Sequence, residues 1–234
     1  MTAARTHIFR LLKWGRILAR HGALRDIENA RQTPLPVRRL CRIARFGTIQ
    51  PKHPDYAAAF REIGPAAIKL GQTLATRPDL VGEDATHNLL GLQDALPPEP
   101  FDKICEQIER ALDAPWEKFF QSIDPEPIGS ASIAQVHTAA LQEGSEVIVK
   151  VLRPGVRQLI ERDLDVLYVI AALADRYWEH GKRLRPLEVV AEYEKTIFNE
   201  LDLMRECANT AQLKHNFDGS DMLYVPEVHW DYCK

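Results

Sequence analysis

Apolar and polar positions alternate with different periods along the chain, and the period changes near residue 120. Residues 5–20 place Ile8, Leu11, Leu12 and Leu18 at helical spacing, with Arg5, Lys13, Arg16 and Arg20 on other sides. Pro34 and Pro36 interrupt the chain. Residues 55–76 predict a helix pair, or one long helix broken near Gly64-Pro65, stopped by Pro78. Residues 83–94 predict a further helix, and Pro97, Pro98 and Pro100 mark a linker. Residues 101–121 predict another helix, striped by Phe101, Ile104, Ile108 and Leu112. Strand patterns follow at 128–141 and 146–152, joined by a turn at Glu143-Gly144-Ser145. In the second, Val147, Val149 and Val151 face one way and Ile148, Lys150 and Leu152 the other. Helices are predicted again over 156–179 and 187–217, the latter with a buried stripe of Ile197, Leu201, Met204, Ala208 and Ala211. Residues 222–232 read as one or two closing strands.

These patterns predict an α+β chain in three parts. Residues 1–52 form a basic helical segment and residues 53–121 a helical extension. Residues 122–234 form a lobe with a small antiparallel sheet.

Composition fits a folded chain, with 45% hydrophobic and 27% charged residues. The net charge of −3 hides an uneven spread. Residues 1–52 carry twelve Lys/Arg against two acids, Asp26 and Glu28, leaving eighteen against thirty-one in the remainder. A basic head on an amphipathic helix predicts an anionic membrane surface as partner, or else a solvated helix packed on its own domain. Nucleic acid is not expected, because the basic residues are interleaved with few aromatics beyond Phe9, Trp14 and Phe46. The cysteines at 41, 105, 207 and 233 form no CxxC pair and no zinc-type spacing, which suits a reducing compartment. No apolar run reaches the roughly 18 residues needed to span a bilayer.

The candidate chemistry lies where the period changes. Residues 129–136 read Gly-Ser-Ala-Ser-Ile-Ala-Gln-Val, beside a kinase phosphate loop of the form GxGxxGxV. Gly129 and Val136 match, while Ala131 and Ala134 stand where other glycines would. Small side chains let backbone amides approach phosphate oxygens, though alanine tolerates fewer conformations than glycine. The next strand ends in Val-Ile-Val-Lys. There Lys150 takes the place of the kinase strand lysine, whose ammonium bridges phosphates and a helix carboxylate. The carboxylate candidates are Glu161, Asp163 and Asp165 on one helix, and Glu200, Asp202 and Glu206 on the next. Lys69 and Gln72 share a helical face around Gly71. A glycine inside a helix costs about 1 kcal/mol, which suggests close approach of another element.

Four segments in this order, KLGQTLATRPDL, GSASIAQVH, VIVKVLRPGV and ELDLMRECAN, resemble the UbiB (aarF-domain) family of atypical kinases, whose members support ubiquinone biosynthesis. The resemblance covers nearly all of residues 55–234. It implies a protein-kinase-like small lobe with a helical extension. It also implies that Ile128, Gly129, Ser130, Ala131, Ser132, Ile133, Ala134, Gln135 and Val136 form an alanine-rich nucleotide loop. Lys150 would be the nucleotide lysine and Glu206 its partner. Lys69, Gly71 and Gln72 would form the regulatory KxGQ motif on the extension, meeting Glu200 and Asp202 of the ExD motif. The implied ligands are ATP and Mg2+.

The implied partners are ubiquinone-biosynthesis proteins or lipid intermediates, at the cytoplasmic face of the bacterial inner membrane. A lipid- or protein-binding module of a quinone-synthesis complex is the alternative. Direct ring hydroxylation is disfavoured, since no GxGxxG follows a strand and no haem or iron ligand set is visible. The strand has Ile148 where VAIK-type kinases carry alanine, which bears on the adenine pocket. No catalytic-loop Asp–Asn pair or DFG follows Lys150. His53-Pro54-Asp55 precedes it, and Phe217-Asp218-Gly219 is FDG. The expectation is that the catalytic lobe, the metal ligands and a membrane anchor lie beyond residue 234, and that this chain hydrolyses ATP weakly or not at all.

Overall fold

The computed structural model describes the backbone of residues 2–29, 33–49, 51–92, 96–177 and 181–234. It describes the side chains of the same residues apart from 2–8, 26, 27, 29, 36, 80, 181 and 182. Arg5 and Ile8, part of the predicted amphipathic pattern, lie outside the described side chains. The chain divides into two compact units, one of residues 1–95 with 155–194 and the other of residues 96–154 with 195–234.

The first unit is helical. It holds α1 (Thr2–Arg20), α2 (Leu24–Asn29), α3 (Leu35–Arg45), α4 (Tyr56–Ile63), α5 (Pro65–Leu74), α6 (Pro78–Val81) and α7 (Glu83–Leu90). The break expected at Gly64-Pro65 separates α4 from α5. Gly64 has φ 130°, a conformation that side chains disfavour, and Pro65 opens α5 with the N–H that a helix start does not need. The α1–α3 contact is built on Ala19, Leu24 and Cys41, with Leu18, Val37 and Ala44 against them. Gly71 in α5 lies so close to its neighbours that a Cβ there would sit 2.5 Å from Phe60 and 2.7 Å from Leu92. The close approach suggested by a mid-helix glycine is therefore to α4 and to Leu92, two residues beyond α7.

After the sheet come α9 (Val156–Tyr177), α10 (Gly181–Leu184) and α11 (Pro186–Glu200). The long helix α9 buries Ile160, Leu164, Val166, Leu167 and also Asp163. The division between units falls within α11, after Glu194.

In the second unit α8 (Phe101–Leu112) packs on an antiparallel sheet of β1 (Phe120–Ile123), β2 (Gly129–Ser130), β3 (Ala134–Leu141) and β4 (Glu146–Leu152). The unit is completed by α12 (Leu203–Asn216). One edge of β3 takes β4 along most of its length; the other takes β2 at its start and β1 at its end. The core is Ile104, Ile108, Phe120, Ile123, Ala139, Leu141 and Val151, flanked by Val147, Val149 and Tyr232. The two sets of β4 residues separate as the alternation predicts, and the structure shows which face is which, with Val151 buried and Lys150 and Ile148 open. The α+β class predicted from the sequence is the one observed.

Four predicted elements differ. The helix predicted over 101–121 stops at Leu112, where Asp113 turns left-handed at φ 53° and Pro115 follows; Phe120 then starts a strand. Residues 101–112, assigned by sequence to the extension, pack with the sheet because Ile104 and Ile108 fill its core. The strand predicted over 128–141 is a hairpin, β2–β3. The helix predicted over 187–217 is two helices, because Asp202 caps α12 by accepting a hydrogen bond from the Arg205 amide at 3.0 Å. The stripe predicted for that helix ends at the break: Ile197 and Leu201 are buried, but Met204 and Ala208 are exposed. Residues 222–232 form no strand, ending instead in a short turn at Trp230–Tyr232.

Candidate nucleotide site

The hairpin and Lys150 belong to one sheet and one face of it. In the β3–β4 ladder Val136 is paired with Lys150, Thr138 with Ile148 and Ala140 with Glu146. Directly opposed residues project to the same side, so these three pairs form the more open face. Gln135, His137 and Ala139, between them on β3, are buried, and Ala139 belongs to the core that α8 fills. Gly129 pairs with Val136, and a Cβ added to Gly129 would meet nothing within 4 Å. The hairpin is tight: the Ala131 amide donates to the Ala134 carbonyl at 2.8 Å across Ser132-Ile133. None of residues 128–136 has positive φ. Alanine therefore substitutes for glycine at 131 and 134 without strain. Ile128 is exposed, whereas Ser132, Ile133, Ala134 and Gln135 are buried.

Lys150 Nζ donates to both carboxylate oxygens of Glu206, at 2.7 and 2.5 Å. Of the six acids weighed from sequence, Glu206 is the one that meets Lys150. Asp202 is occupied in capping α12, and Asp163 pairs with Arg10 in the first unit. Lys150 and Glu206 are 38% and 50% exposed at the side chain, a regime in which an ion pair contributes about 0–1 kcal/mol. The pair therefore contributes little to the fold. It holds an ammonium at a fixed point of the open face while leaving it accessible.

Sequence reasoning missed the residues that brace the hairpin. Arg153 is buried, and its guanidinium donates through Nε to the Ala131 carbonyl at 2.8 Å. Through Nη2 it donates to Ser130 Oγ at 2.9 Å and the Pro97 carbonyl at 3.0 Å. Its Nη1 meets Glu99 at 3.2 Å, and its own amide donates to the Ile133 carbonyl. A second chain runs through the sheet. The Glu99 amide donates to Gln135 Oε1, Gln135 Nε2 meets His137 Nε2 at 3.2 Å, and His137 Nδ1 meets the Asp124 carbonyl at 2.8 Å. A carbonyl can only accept, so the proton sits on Nδ1 and Nε2 accepts from Gln135. The signal in the sequence was an arginine two residues after the buried end of β4 at Val151, where a lone guanidinium would be costly.

The KxGQ residues belong to the first unit: Gly71 is buried, and Lys69 and Gln72 are half-buried on α5. Glu200 and Asp202 belong to the second, at the α11–α12 break. No group of three His, Cys, Asp or Glu side chains suited to a metal ion occurs among the described residues, so none here is assigned to Mg2+.

The model of the ABC1 atypical kinase-like domain matches residues 91–234. A probable protein kinase UbiB of Marinobacter nauticus is 48% identical over 176 residues, covering 75% of this chain and 32% of that protein. Its namesake in Azotobacter vinelandii is 48% identical over 185 residues, covering 79% and 34%. Among solved structures, the complex of Rv3197 with erythromycin from Mycobacterium tuberculosis aligns with a TM-score of 0.47 and 29% identity. It covers 71% of this chain and 42% of that one. The chain belongs to the UbiB family of ABC1 atypical kinase-like proteins. It spans about a third of the length of the curated relatives it matches.

Proposed function

We propose that the hairpin of residues 128–136, with Lys150 and Glu206, binds the phosphates of ATP. On this reading the complete protein is an atypical kinase or ATPase that supports ubiquinone biosynthesis, a role suggested by the name of its relatives. The observation that carries the reading is the pairing of Val136 with Lys150 on the open face, with both oxygens of Glu206 on the ammonium. The residues suit a triphosphate. The hairpin supplies backbone donors beside an uncrowded Gly129, and Lys150 supplies a cation that can exchange part of its carboxylate contact for phosphate. Bound Mg2+ would neutralise phosphate charge, with ligands supplied by other parts of the protein. Ile148 is 60% exposed on the same face and would border the adenine. The test is protection against heating by MgATP. Wild-type protein should be stabilised at saturating nucleotide and Lys150→Ala should not. Equal protection of both would remove Lys150 from the site.

The basic head supports a second role, attachment to an anionic membrane. The structure separates its cations into two groups. Arg10 is paired with Asp163, Arg20 with Glu62 and Arg45 with Glu28. Arg16, Arg39 and Arg42 are exposed and line one groove between α1 and α3 with Ile43 and Phe46; Arg42 also lies 3.8 Å from Glu28 but keeps its side chain 78% exposed. Leu35, at the opposite end of α3 from Phe46, is also open: the two are 70% and 83% exposed. Arginines among exposed apolar side chains suit lipid phosphates above an acyl boundary. Flotation with vesicles containing anionic lipid should be lost in Arg16→Glu/Arg39→Glu/Arg42→Glu and weakened by salt. Salt-insensitive flotation of that variant would refute the reading.

A further inference from the structure

The second unit holds two thiols in contact. Cys207 Sγ and Cys233 Sγ are 3.0 Å apart, and both residues are half-buried. A disulfide is about 2.05 Å long, so the sulfurs need to close by only about 1 Å. The two cysteines come from differently anchored segments. Cys233 follows Tyr232, whose ring packs on Phe119 and Phe120 at centroid distances of 6.0 and 5.9 Å, against the sheet core. Cys207 lies on α12, next to Glu206, and α12 has no buried side chain at all. Its described polar ties within the unit are exposed: Glu206 to Lys150, Arg205 to Asn199 at 2.9 Å, and Lys214 to Glu227 at 3.7 Å. Packing therefore does not explain why a cysteine sits at 207. Of the other two cysteines, Cys41 is buried in an apolar cluster, and Cys105 is half-buried like the pair.

The geometry points to a redox modification site, in which Cys207 and Cys233 are oxidised to an intramolecular disulfide by a small-molecule disulfide. The Cys207 thiolate attacks one sulfur of the oxidant, forming a mixed disulfide and expelling one thiolate. Cys233 then loses its proton and attacks Cys207 Sγ, expelling the second. The balance is two protein thiols and one disulfide consumed, and one protein disulfide and two small thiols formed. Burial and the contact with Cys207 raise the Cys233 thiol above its ordinary value. The 3.0 Å contact lets either sulfur resolve a mixed disulfide formed on the other, and the product is the same. In a reducing compartment such a bond is transient and suits sensing rather than structure. Its consequence is mechanical, because it fastens α12, and Glu206 with it, to the packed turn at Trp230–Tyr232. The thiol chemistry stands apart from the nucleotide reading; only the meaning of holding Glu206 rests on that reading.

The test is incubation of the folded 234-residue chain with oxidised glutathione, followed by alkylation, digestion and mass spectrometry. The expected product is a Cys207–Cys233 crosslink, reversed by dithiothreitol, with Cys105 carrying at most a glutathione adduct. Cys207→Ser and Cys233→Ser should each abolish the crosslink. Hydrogen exchange of α12 should slow on oxidation by about tenfold, the size expected for tethering a locally opening segment. Alkylation of Cys207 and Cys233 as separate free thiols, at the rate of Cys105, would overturn the site. A crosslink that leaves α12 exchange unchanged would overturn the clamp. MgATP protection measured alongside separates the two readings, since the crosslink forms whether or not nucleotide binds.

Discussion

Each unit brings a basic side chain onto an acid far away in sequence, and the two pairs have opposite characters. In the helical unit, Arg10 Nε lies 3.2 Å from Asp163 Oδ1, and the acid is 1% exposed. In the sheet unit, Lys150 and Glu206 meet at shorter distance with both side chains substantially open. The first pair sits where a charge is costly and is committed to the fold. The second sits where a charge is cheap, and remains available to a ligand. Both are charged pairs in the sequence; only burial tells them apart.

The largest effects should come from the buried pair. Burial pushes the Asp163 carboxyl up to about 6, against the pull of Arg10 and Lys13. No described residue donates a well-aligned hydrogen bond to either oxygen. The folded chain therefore holds the Asp163 proton more tightly than the unfolded chain, whose ordinary value is 3.8. Stability of the first unit should be higher below pH ~4 with respect to this group, fall as pH rises to ~6 and then level off. The total is about 3 kcal/mol. Urea unfolding across that range should show the slope, and Asp163→Asn should flatten it. Arg10→Ala should cost a further few kcal/mol at neutral pH, because it strands the carboxylate.

Arg153 lies between the two extremes. It is buried like Asp163, yet it serves the hairpin that faces outward. Arg153→Ala leaves the Ala131 and Pro97 carbonyls without that donor and should cost about 2 kcal/mol in the second unit. Arg153→Lys keeps the charge but cannot span Ala131, Ser130, Pro97 and Glu99 together. It should loosen the hairpin at smaller cost. The measurement is hydrogen exchange of residues 129–135, which should quicken in both variants while α8 changes less.

What the sequence made legible follows the same division. The face that Lys150 shares with Ile148 was readable because strict alternation over Val147–Leu152 survives in β4. Gly71 was readable as a close approach because a mid-helix glycine carries a cost that something must offset. Glu206 was not separable from five other acids by spacing, since choosing it needs the turn at Leu201-Asp202 that swings α12 away from α11. That turn was hidden because apolar residues keep a helical period across it, and only the Asp202 side chain ends the run. Strand β1 was hidden by an irregular register between Phe120 and Ser122, which leaves Phe120 and Ile123 buried three residues apart, the spacing of a helix. Arg153 was hidden because its acceptors are mostly backbone carbonyls, which every sequence has.

The smallest expected change in stability carries the most functional information. Lys150→Ala removes an ion pair worth at most about 1 kcal/mol, and Glu206→Gln weakens the same pair. Each should shift the unfolding midpoint of the second unit by a few degrees at most. Their effects on ATP should nevertheless diverge from that modest scale and from each other. Lys150→Ala removes the cation that meets phosphate, so MgATP protection should vanish. Glu206→Gln keeps the cation and loses part of its positioning, so protection should weaken without disappearing. Calorimetric scans of both variants, with and without nucleotide, separate a site residue from a structural one. A structural ion pair would lower the midpoint in both variants and leave the nucleotide-induced shift intact. A loss of several kcal/mol in nucleotide-free Lys150→Ala would place this pair with Arg10–Asp163 and erase the contrast between the units.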